Sequence, residues 1–532
     1  MSSEETAQQS TGGGTPRRRE PSLNPPPYVL NKHGGRVLDP ATAVHLPGRP
    51  AIRPTVYVGA RLLVRSSQLS DAVRAALVTA AAQAGLRVVF DEADGQLLEL
   101  ASSVGLADLA ARVLTTRLRL EIDTDKPASP PDSWQVLQNF RCILGSADPT
   151  SNEVTLDHLL TATGGPHGAP YMGGAPYMGG AGVSSEYGVA GHGGRSPVTW
   201  IGAEPTRVPK GQERCRRPVV AVLDTGVGRH PWLPESIVKR HPKVGSLPIG
   251  ETDPASNSEL SGRLDSPLEG TLDLDAGHGT FISGLIRQVC PDADILAVRV
   301  MHGDGAVPEG DLLEALNRLL LRQALALELN KPDWLVDVIS LSLGYYHELP
   351  ADYAYDQLLI ETLGALGEYG VAVVASAGND STPRHFYPAG FTPHAGGQVQ
   401  ARYDALPVVS VGALNPDLKS IALFSNAGNW VTCHRQGAAL VSTMPTTFDG
   451  SLQPLASIRV HGEGTRTTID PDNFHGGFSI WSGTSFAAPI LAAEIAKALW
   501  NSGTLDTSDA STMVSRGWEV LNGLTGLERP QP

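Results

Sequence analysis

The sequence predicts an α/β protein: a mostly parallel sheet covered by helices on both faces, preceded by a small α/β N-terminal domain. Three observations predict it. From Pro218 to Trp500, short unbroken apolar and β-branched runs alternate with amphipathic helical segments, the pattern of strands buried on both faces. Over 54–125 a shorter β-α-β-α-β alternation stands by itself. Between the two, Gly164 to Arg195 is rich in glycine and repeats APYMGG at 169–174 and 175–180, a composition that cannot support a packed core.

Taken in order, residues 1–50 are expected to be a disordered tail. Pro25-Pro26-Pro27-Tyr28 would suit a polyproline-binding partner, but a bare solvated tail is the simpler reading. No apolar stretch follows Arg17-Arg18-Arg19, so the start does not read as a secretory signal, and the cytoplasm is the expected compartment. TVYVGARLLVR, from Thr55, reads as a strand. Ser70 caps a helix over DAVRAALVTAAAQAG that ends at Gly85, and LRVVF, GLADLAARVL and TRLRLEI complete a small domain, propeptide-like or regulatory, without a cluster of chemical residues. Residues 126–163 are mixed in character, and the glycine-rich linker after them is an accessible site for nicking. Strands then follow at VVAVL, DILAVRV, DVISLSL, VAVVASA and PVVSVGA. The helices fall at GTFISGLIRQV, EGDLLEALNRLLLRQALALEL and 352–369, and 501–532 is a C-terminal extension.

Composition excludes several function classes. With 532 residues, 41% hydrophobic and 18% charged, the chain is apolar enough to fold. A net charge of −14 repels phosphate, so neither nucleic acid nor an anionic membrane surface is the expected partner. There is no run of about 18 apolar residues, hence no expected membrane span. Cys142, Cys215, Cys290 and Cys433 lie far apart with no CxxC pair, which argues for ordinary thiols over a zinc ribbon or disulfide framework. The sequence leaves the oligomeric state open.

In a parallel α/β sheet, functional side chains gather at the C-terminal ends of strands. Asp224 ends the strand AVLD before Thr225-Gly226. His278, flanked by Gly277 and Gly279, opens an amphipathic helix. Asn379 ends VVASAGN, and Ser485 enters an Ala-rich helix directly after Gly483-Thr484. Each alone has a bland reading as a turn residue, a structural histidine or a helix cap. Together they place an acid, a base, an amide donor and a hydroxyl around one sheet, and coincidence explains that poorly.

On these residues the chain resembles the subtilisin-like serine proteases, or subtilases. The resemblance rests on Asp224-Thr225-Gly226 with His230-Pro231, His278-Gly279-Thr280, Ala377-Gly378-Asn379, and Gly483-Thr484-Ser485 with Ala487-Ala488-Pro489, over about 218–500. The order Asp, His, Ser is that of subtilisin rather than of chymotrypsin or the α/β-hydrolases. It implies a subtilisin-like fold and an endopeptidase acting on polypeptide. Ser485 would be the nucleophile, His278 the base, Asp224 its orienting carboxylate, and Asn379 with the Ser485 N–H the oxyanion hole. Asp273 and Asp275 read as capping or surface acids, and His230 as structural. The resemblance further implies that Ser342-Leu343-Gly344 pairs with the substrate backbone and that Ser376-Ala377-Gly378 walls the specificity pocket. Phe386 would narrow its floor toward small or medium apolar side chains, with Asp380 able to bias it toward bases.

His278 follows Asp224 by 54 residues and Ser485 follows Asn379 by 106, so insertions are expected near 240–270, 390–404 and 445–475. The acids of PIGETDPASNSELSGRLD are candidate ligands for a structural calcium, without a complete set legible from spacing, and no metal site is assigned. Catalysis as implied needs no cofactor. Two readings stay open: a serine endopeptidase that processes itself, and a latent or inactive protease-fold scaffold whose role is partner binding.

Overall fold

Seven parallel strands form the main sheet, in the order Cys433–Gln436, Val408–Leu414, Ala372–Ser376, Val338–Leu341, Val219–Asp224, Asp294–Arg299, Val238–Arg240. The computed structural model describes residues 25–46, 50–91, 95–125, 129–145, 148–162, 194–349 and 357–532, with Pro21, Leu23 and Tyr187. Strand side chains alternate between faces, and both faces here are apolar. Val219, Ala221 and Leu223 enter one core, beneath helices Glu309–Glu328 and Gln357–Glu368. Val220 and Val222 enter the other, beneath His278–Val289 and Thr484–Ser502. Burying each such side chain contributes about 1.5–3 kcal/mol, so the continuous apolar runs specify a two-sided sheet. Helix Ala510–Thr525, started by the Asp509 carboxylate accepting from the Thr512 N–H at 2.9 Å, adds Trp518 to this second core.

A second sheet is antiparallel. It contains Gly35–Leu38, Thr55–Arg65, Leu86–Phe90, Thr115–Ile122 and Val154–Ala162. Helices Asp71–Gln83 and Ser133–Leu144 cover it through Leu77, Trp134, Leu137 and Phe140 against Leu62, Leu118 and Leu156. Ser70 caps the first of these helices by accepting from the Val73 N–H at 3.3 Å. Two expectations need correction. The tail read as disordered through residue 50 contains helix Pro27–His33 and strand Gly35–Leu38. Proline at the start of a helix costs nothing, because its missing N–H would have no intrahelical partner, so Pro27 begins the helix rather than a polyproline segment. The small α/β unit also does not stop at residue 125, since 133–144 and 154–162 supply a covering helix and a central strand. The APYMGG repeat and most of the linker lie outside the described residues, as do the first residues of the helix expected over 352–369, which is seen as Gln357–Glu368.

One described strand belongs to the sheet pairing of both regions. Val154–Ala162 pairs antiparallel with Thr55–Arg65 and also with two short strands of the larger region, Ala306–Pro308 and Leu343–Gly344. Leu63 and Leu160 pack into the same core as Leu312 and Leu313, so the seam is apolar as well as hydrogen-bonded. Among the described residues no helix is long and apolar enough to cross a membrane, and all four cysteines are free thiols.

Candidate active site

Asp224 is the last residue of its strand, where the ladder to Asp294–Arg299 and Val338–Leu341 fixes the backbone. Its carboxylate is 1% exposed and accepts from the Thr225 N–H at 2.8 Å. His278 begins its helix behind Gly277, whose φ of 86° is a left-handed value that favours glycine. A side chain at Gly279 would strike the Gly226 carbonyl, so the glycines on either side of His278 let it approach Asp224. The His278 Nδ1 lies 2.8 and 2.9 Å from the two Asp224 carboxylate oxygens. Burial alone would lower the imidazole pKa, but Asp224, then Asp275 and Glu259, together raise it above the usual value.

Ser485 opens the 19-residue helix Thr484–Ser502, where the aligned peptide dipoles favour negative charge. Its hydroxyl donates to the Ser342 carbonyl at 3.2 Å, and the Ser342 hydroxyl donates back to the Ser485 carbonyl at 2.8 Å. Among the described residues the buried His278 Nε2 has no hydrogen-bond partner. The expected acid–base pair is therefore formed, while the serine hydroxyl is turned toward the strand edge instead of the imidazole. Both His278 and Ser485 are fully buried.

Asn379 is nearby. Its amide oxygen accepts from the Thr484 N–H at 2.9 Å and from the Thr484 hydroxyl at 2.8 Å, which orients the amide at the start of the serine helix. Gly378, with φ of 98°, donates its N–H to the same threonine hydroxyl at 3.1 Å. Ser376 is the last residue of its strand, and Ala377 follows with its N–H bonded to Val411. Leu343 pairs with Ala162 and Gly344 with Thr161, so the edge expected to receive a peptide holds this chain's own strand. The Phe386 ring separates the expected pocket walls: a methyl at Gly344 would lie 2.5 Å from it, and one at Gly378 3.2 Å. Asp380 accepts from the Tyr346 hydroxyl at 2.6 Å, and the Tyr346 ring centroid is 5.0 Å from that of Phe386.

Several readings change. Asp273 and Asp275 are buried rather than surface acids, each 4% exposed. Asp273 accepts from the Leu264 and Asp265 N–H groups. Burial pushes Asp275 up to about 7, despite His278 and Arg195. The acids proposed for calcium disperse: Glu251 and Asp253 accept local backbone N–H groups, Asp265 pairs with Lys32 at 2.7 Å, and Glu259 turns inward beneath Asp224. The reading of His230 as structural does not change, its Nδ1 accepting from the Trp232 N–H at 3.1 Å.

Sequence reading missed a buried group at the seam. His158, on Val154–Ala162, has Nδ1 2.7 Å from Glu309 and Nε2 2.9 Å from Glu348, with His347 beside Glu348 at 3.3 Å. Atoms of His158, His347 and Glu348 lie within 4.8 Å of one another, but both His158 nitrogens already face carboxylates, an ion-pair geometry. Its only sequence signal was a polar Asp-His pair inside an apolar strand.

Comparison with known proteins identifies the family. The family described as "Subtilase family" matches residues 216–514. The chain is 24% identical over 311 residues to the Bacillus subtilis (strain 168) protein "Serine protease AprX", covering 56% of this chain and 60% of that one. It is 25% identical over 336 residues to "Fervidolysin" of Fervidobacterium pennivorans, covering 57% and 39%. It is 26% identical over 284 residues to the Homo sapiens "Membrane-bound transcription factor site-1 protease", covering 52% and 20%. The chain thus spans less than two thirds of the length of each of these relatives. The crystal structure of fervidolysin, titled a keratinolytic enzyme related to subtilisin, overlays with a TM-score of 0.43 at 17% identity, covering 87% of this chain and 56% of that one. The family match takes in Asp224, His278, Asn379 and Ser485 and more than half of the sequence, and the chain belongs to the subtilase family of serine proteases.

Proposed function

We propose that the chain is a serine endopeptidase that hydrolyses peptide bonds through Asp224, His278 and Ser485, and that its N-terminal region holds it latent until it cuts itself. The observation that carries this reading is the Asp224–His278 pair at 2.8 Å beside a serine at a helix start, with a strand of the same chain laid along the neighbouring edge. The reaction requires the Ser485 hydroxyl to turn from the Ser342 carbonyl toward His278 Nε2. The oxygen then attacks the scissile carbonyl carbon as its proton passes to the imidazole. The Asn379 amide and the Ser485 N–H stabilise the oxyanion, each such donor being worth about 2.7–4 kcal/mol. Collapse breaks the C–N bond, His278 protonates the departing amine, and a water deprotonated by the same nitrogen releases the acyl group. These proton transfers need no group beyond the side chains named.

Val154–Ala162 has the antiparallel pairing a bound peptide would adopt on Leu343–Gly344, strand addition from within the chain. Self-cleavage is expected in the segment after Ala162. Intact-mass spectrometry before and after a fluorophosphonate, with Ser485→Ala in parallel, tests the reading. An adduct and a truncation that both need Ser485 support it. No adduct and an unbroken chain in both proteins move it to the second reading, a latent or inactive scaffold, which the burial of His278 and Ser485 favours. For specificity, the Phe386 ring between the pocket walls favours small or medium apolar side chains before the cut. Phe386→Ala is expected to raise relative cleavage after aromatic residues roughly 10–100-fold. A peptide panel in which the unsubstituted enzyme already prefers Trp or Phe would sink that assignment.

A further inference from the structure

One buried carboxylate near the pair has no part in the steps above. Glu259 comes from the insertion ahead of His278, in the short helix Ser258–Ser261, and is 1% exposed. Its Oε1 accepts from the Thr225 hydroxyl at 2.6 Å and from the Gly277 N–H at 3.0 Å, and its Oε2 accepts from the Thr280 hydroxyl. Thr225 follows Asp224. Gly277 and Thr280 flank His278. One side chain thus ties together the two segments that carry the acid and the base. Each threonine oxygen is also an acceptor, Thr225 from the Gly279 N–H at 3.0 Å and Thr280 from the Gly228 N–H at 2.7 Å.

The Thr225 hydroxyl has a single proton and two carboxylates within reach, Glu259 at 2.6 Å and Asp224 at 3.2 Å. When Glu259 is ionised, the nearer oxygen takes that proton. Asp224 then keeps its charge for His278. When Glu259 is protonated it becomes a donor toward the Thr225 oxygen, and the Thr225 proton swings to Asp224. Asp224 gains a hydrogen bond to its charged form and supports the imidazolium less.

We propose that Glu259 is a positioning residue for the Asp224–His278 pair, acting through the Thr225 hydroxyl, which its charge withholds from Asp224. The inference rests on the reading of Asp224, His278 and Ser485 as the reacting set. Four charged groups act on Glu259 from the elements around it: Asp224 on its strand, His278 on its helix, Arg299 on Asp294–Arg299, and Arg195. A methyl at Gly226 would touch the Arg299 stem at 3.3 Å and the Glu259 stem at 3.5 Å, so these two lie side by side. Burial pushes Glu259 up to about 7, with Asp224 adding to the rise and the Thr225, Thr280 and Gly277 donors opposing it. Its charge therefore changes in the range where the imidazole works.

The test uses the full chain carrying Glu259→Gln, Thr225→Val or Thr225→Ser. Fluorophosphonate labelling counts assembled sites, and kcat/KM per labelled site is followed against pH. Glu259→Gln removes a negative charge near His278, so the acid limb should move down by about half to one pH unit and plateau kcat should fall roughly tenfold. Thr225→Val removes the hydroxyl that Glu259 holds off Asp224, so adding Glu259→Gln to Thr225→Val should not lower plateau kcat further, whereas adding it to Thr225→Ser, which keeps the hydroxyl, should again lower it roughly tenfold. A smaller labelled fraction with unchanged kcat and pH limb per site would overturn the proposal and leave Glu259 a structural residue. If Glu259→Gln does not fold, the pH profile decides: an inflection near 7 in kcat per labelled site that Thr225→Val abolishes and Thr225→Ser keeps supports the proposal, and the same profile in all three proteins overturns it. Failure of the unsubstituted chain to label at Ser485 would instead overturn the catalytic reading, and this inference with it.

Discussion

Two buried histidines mark the two working regions of this molecule, and they differ in how many of their nitrogens are engaged by carboxylates. His278, at the C-terminal end of the parallel sheet, has Nδ1 against Asp224 and, among the described residues, no hydrogen-bond partner at Nε2. His158, where the antiparallel sheet meets the larger region, has Nδ1 against Glu309 and Nε2 against Glu348. An imidazole held at one nitrogen can accept and return a proton at the other. Held at both it is a fixed cation, and its role is to clamp. Other residues keep the seam positive around those carboxylates, since Arg141 acts on His347 and Glu348 and Arg384 on His347. The burial is alike in the two cases, so the count of facing carboxylates is what separates the proposed base from the proposed latch.

The largest test of that distinction removes each ring. His278→Ala is expected to lower kcat by about 10⁶ and, because it strands the buried Asp224 carboxylate, to lower thermal stability, while leaving the docking of the N-terminal region nearly intact. His158→Gln should instead keep kcat and weaken docking. It leaves Glu309 and Glu348 buried without their cation, a loss of about 3–5 kcal/mol for a broken buried pair. Fluorophosphonate labelling of Ser485 in the unprocessed chain should then speed up by more than tenfold. If His158→Gln lowers kcat per labelled site and leaves labelling of the unprocessed chain unchanged, the division of roles is wrong.

These two histidines also show what the sequence could and could not disclose. His278 was legible because its neighbours are constrained: flanking glycines, a helix start and three companion motifs at other strand ends leave few alternatives. His158 was not, because VTLDHLLTA lies in a stretch of mixed character, and only pairing with Ala306–Pro308 and Leu343–Gly344 brings distant Glu309 and Glu348 to its ring. Glu259 was hidden for the same reason. Its segment is polar and acid-rich, and the fold alone decides that one of those acids turns inward. The parallel sheet was readable from uninterrupted apolar runs. Gly35–Leu38 was not, since its pairing partner Thr55–Arg65 supplies the stability that its own composition lacks.

pH gives a finer comparison. Burial alone would lower the His158 pKa, but Glu309 and Glu348 raise it to about 10, against an ordinary 6.5. A raised value in the docked state means the contribution is complete below 6.5 and is lost as pH climbs through 10. The N-terminal region should therefore let go more readily as pH rises, by up to tenfold in docking equilibrium per unit within that window. Neutral His347, held down at about 3 by burial, and Asp157, pushed up by burial to about 6, do not titrate there in the docked state. The check is the labelling rate of unprocessed chain at pH 7, 8 and 9 against His158→Gln, corrected for the probe's own hydrolysis. Parallel curves for the two proteins would remove His158 as the source.

The smallest expected effect asks whether burial or mere charge pairing makes the latch. Arg112 crosses the same seam to Glu368 with two bonds of 2.7 and 2.9 Å, geometry as good as that of His158, but its side chain is 37% exposed. Water already solvates much of that guanidinium, so Arg112→Ala leaves no stranded charge and should weaken docking by less than about 1 kcal/mol. Glu368 retains Arg402 at 2.6 Å, which softens the loss further. Raising the ionic strength should erase what remains of the Arg112 effect and leave that of His158→Gln almost untouched, because salt screens exposed pairs and barely reaches a buried one. Equal losses from the two substitutions, with equal salt dependence, would mean that the seam is held by summed surface charge and that His158 has no special place in it.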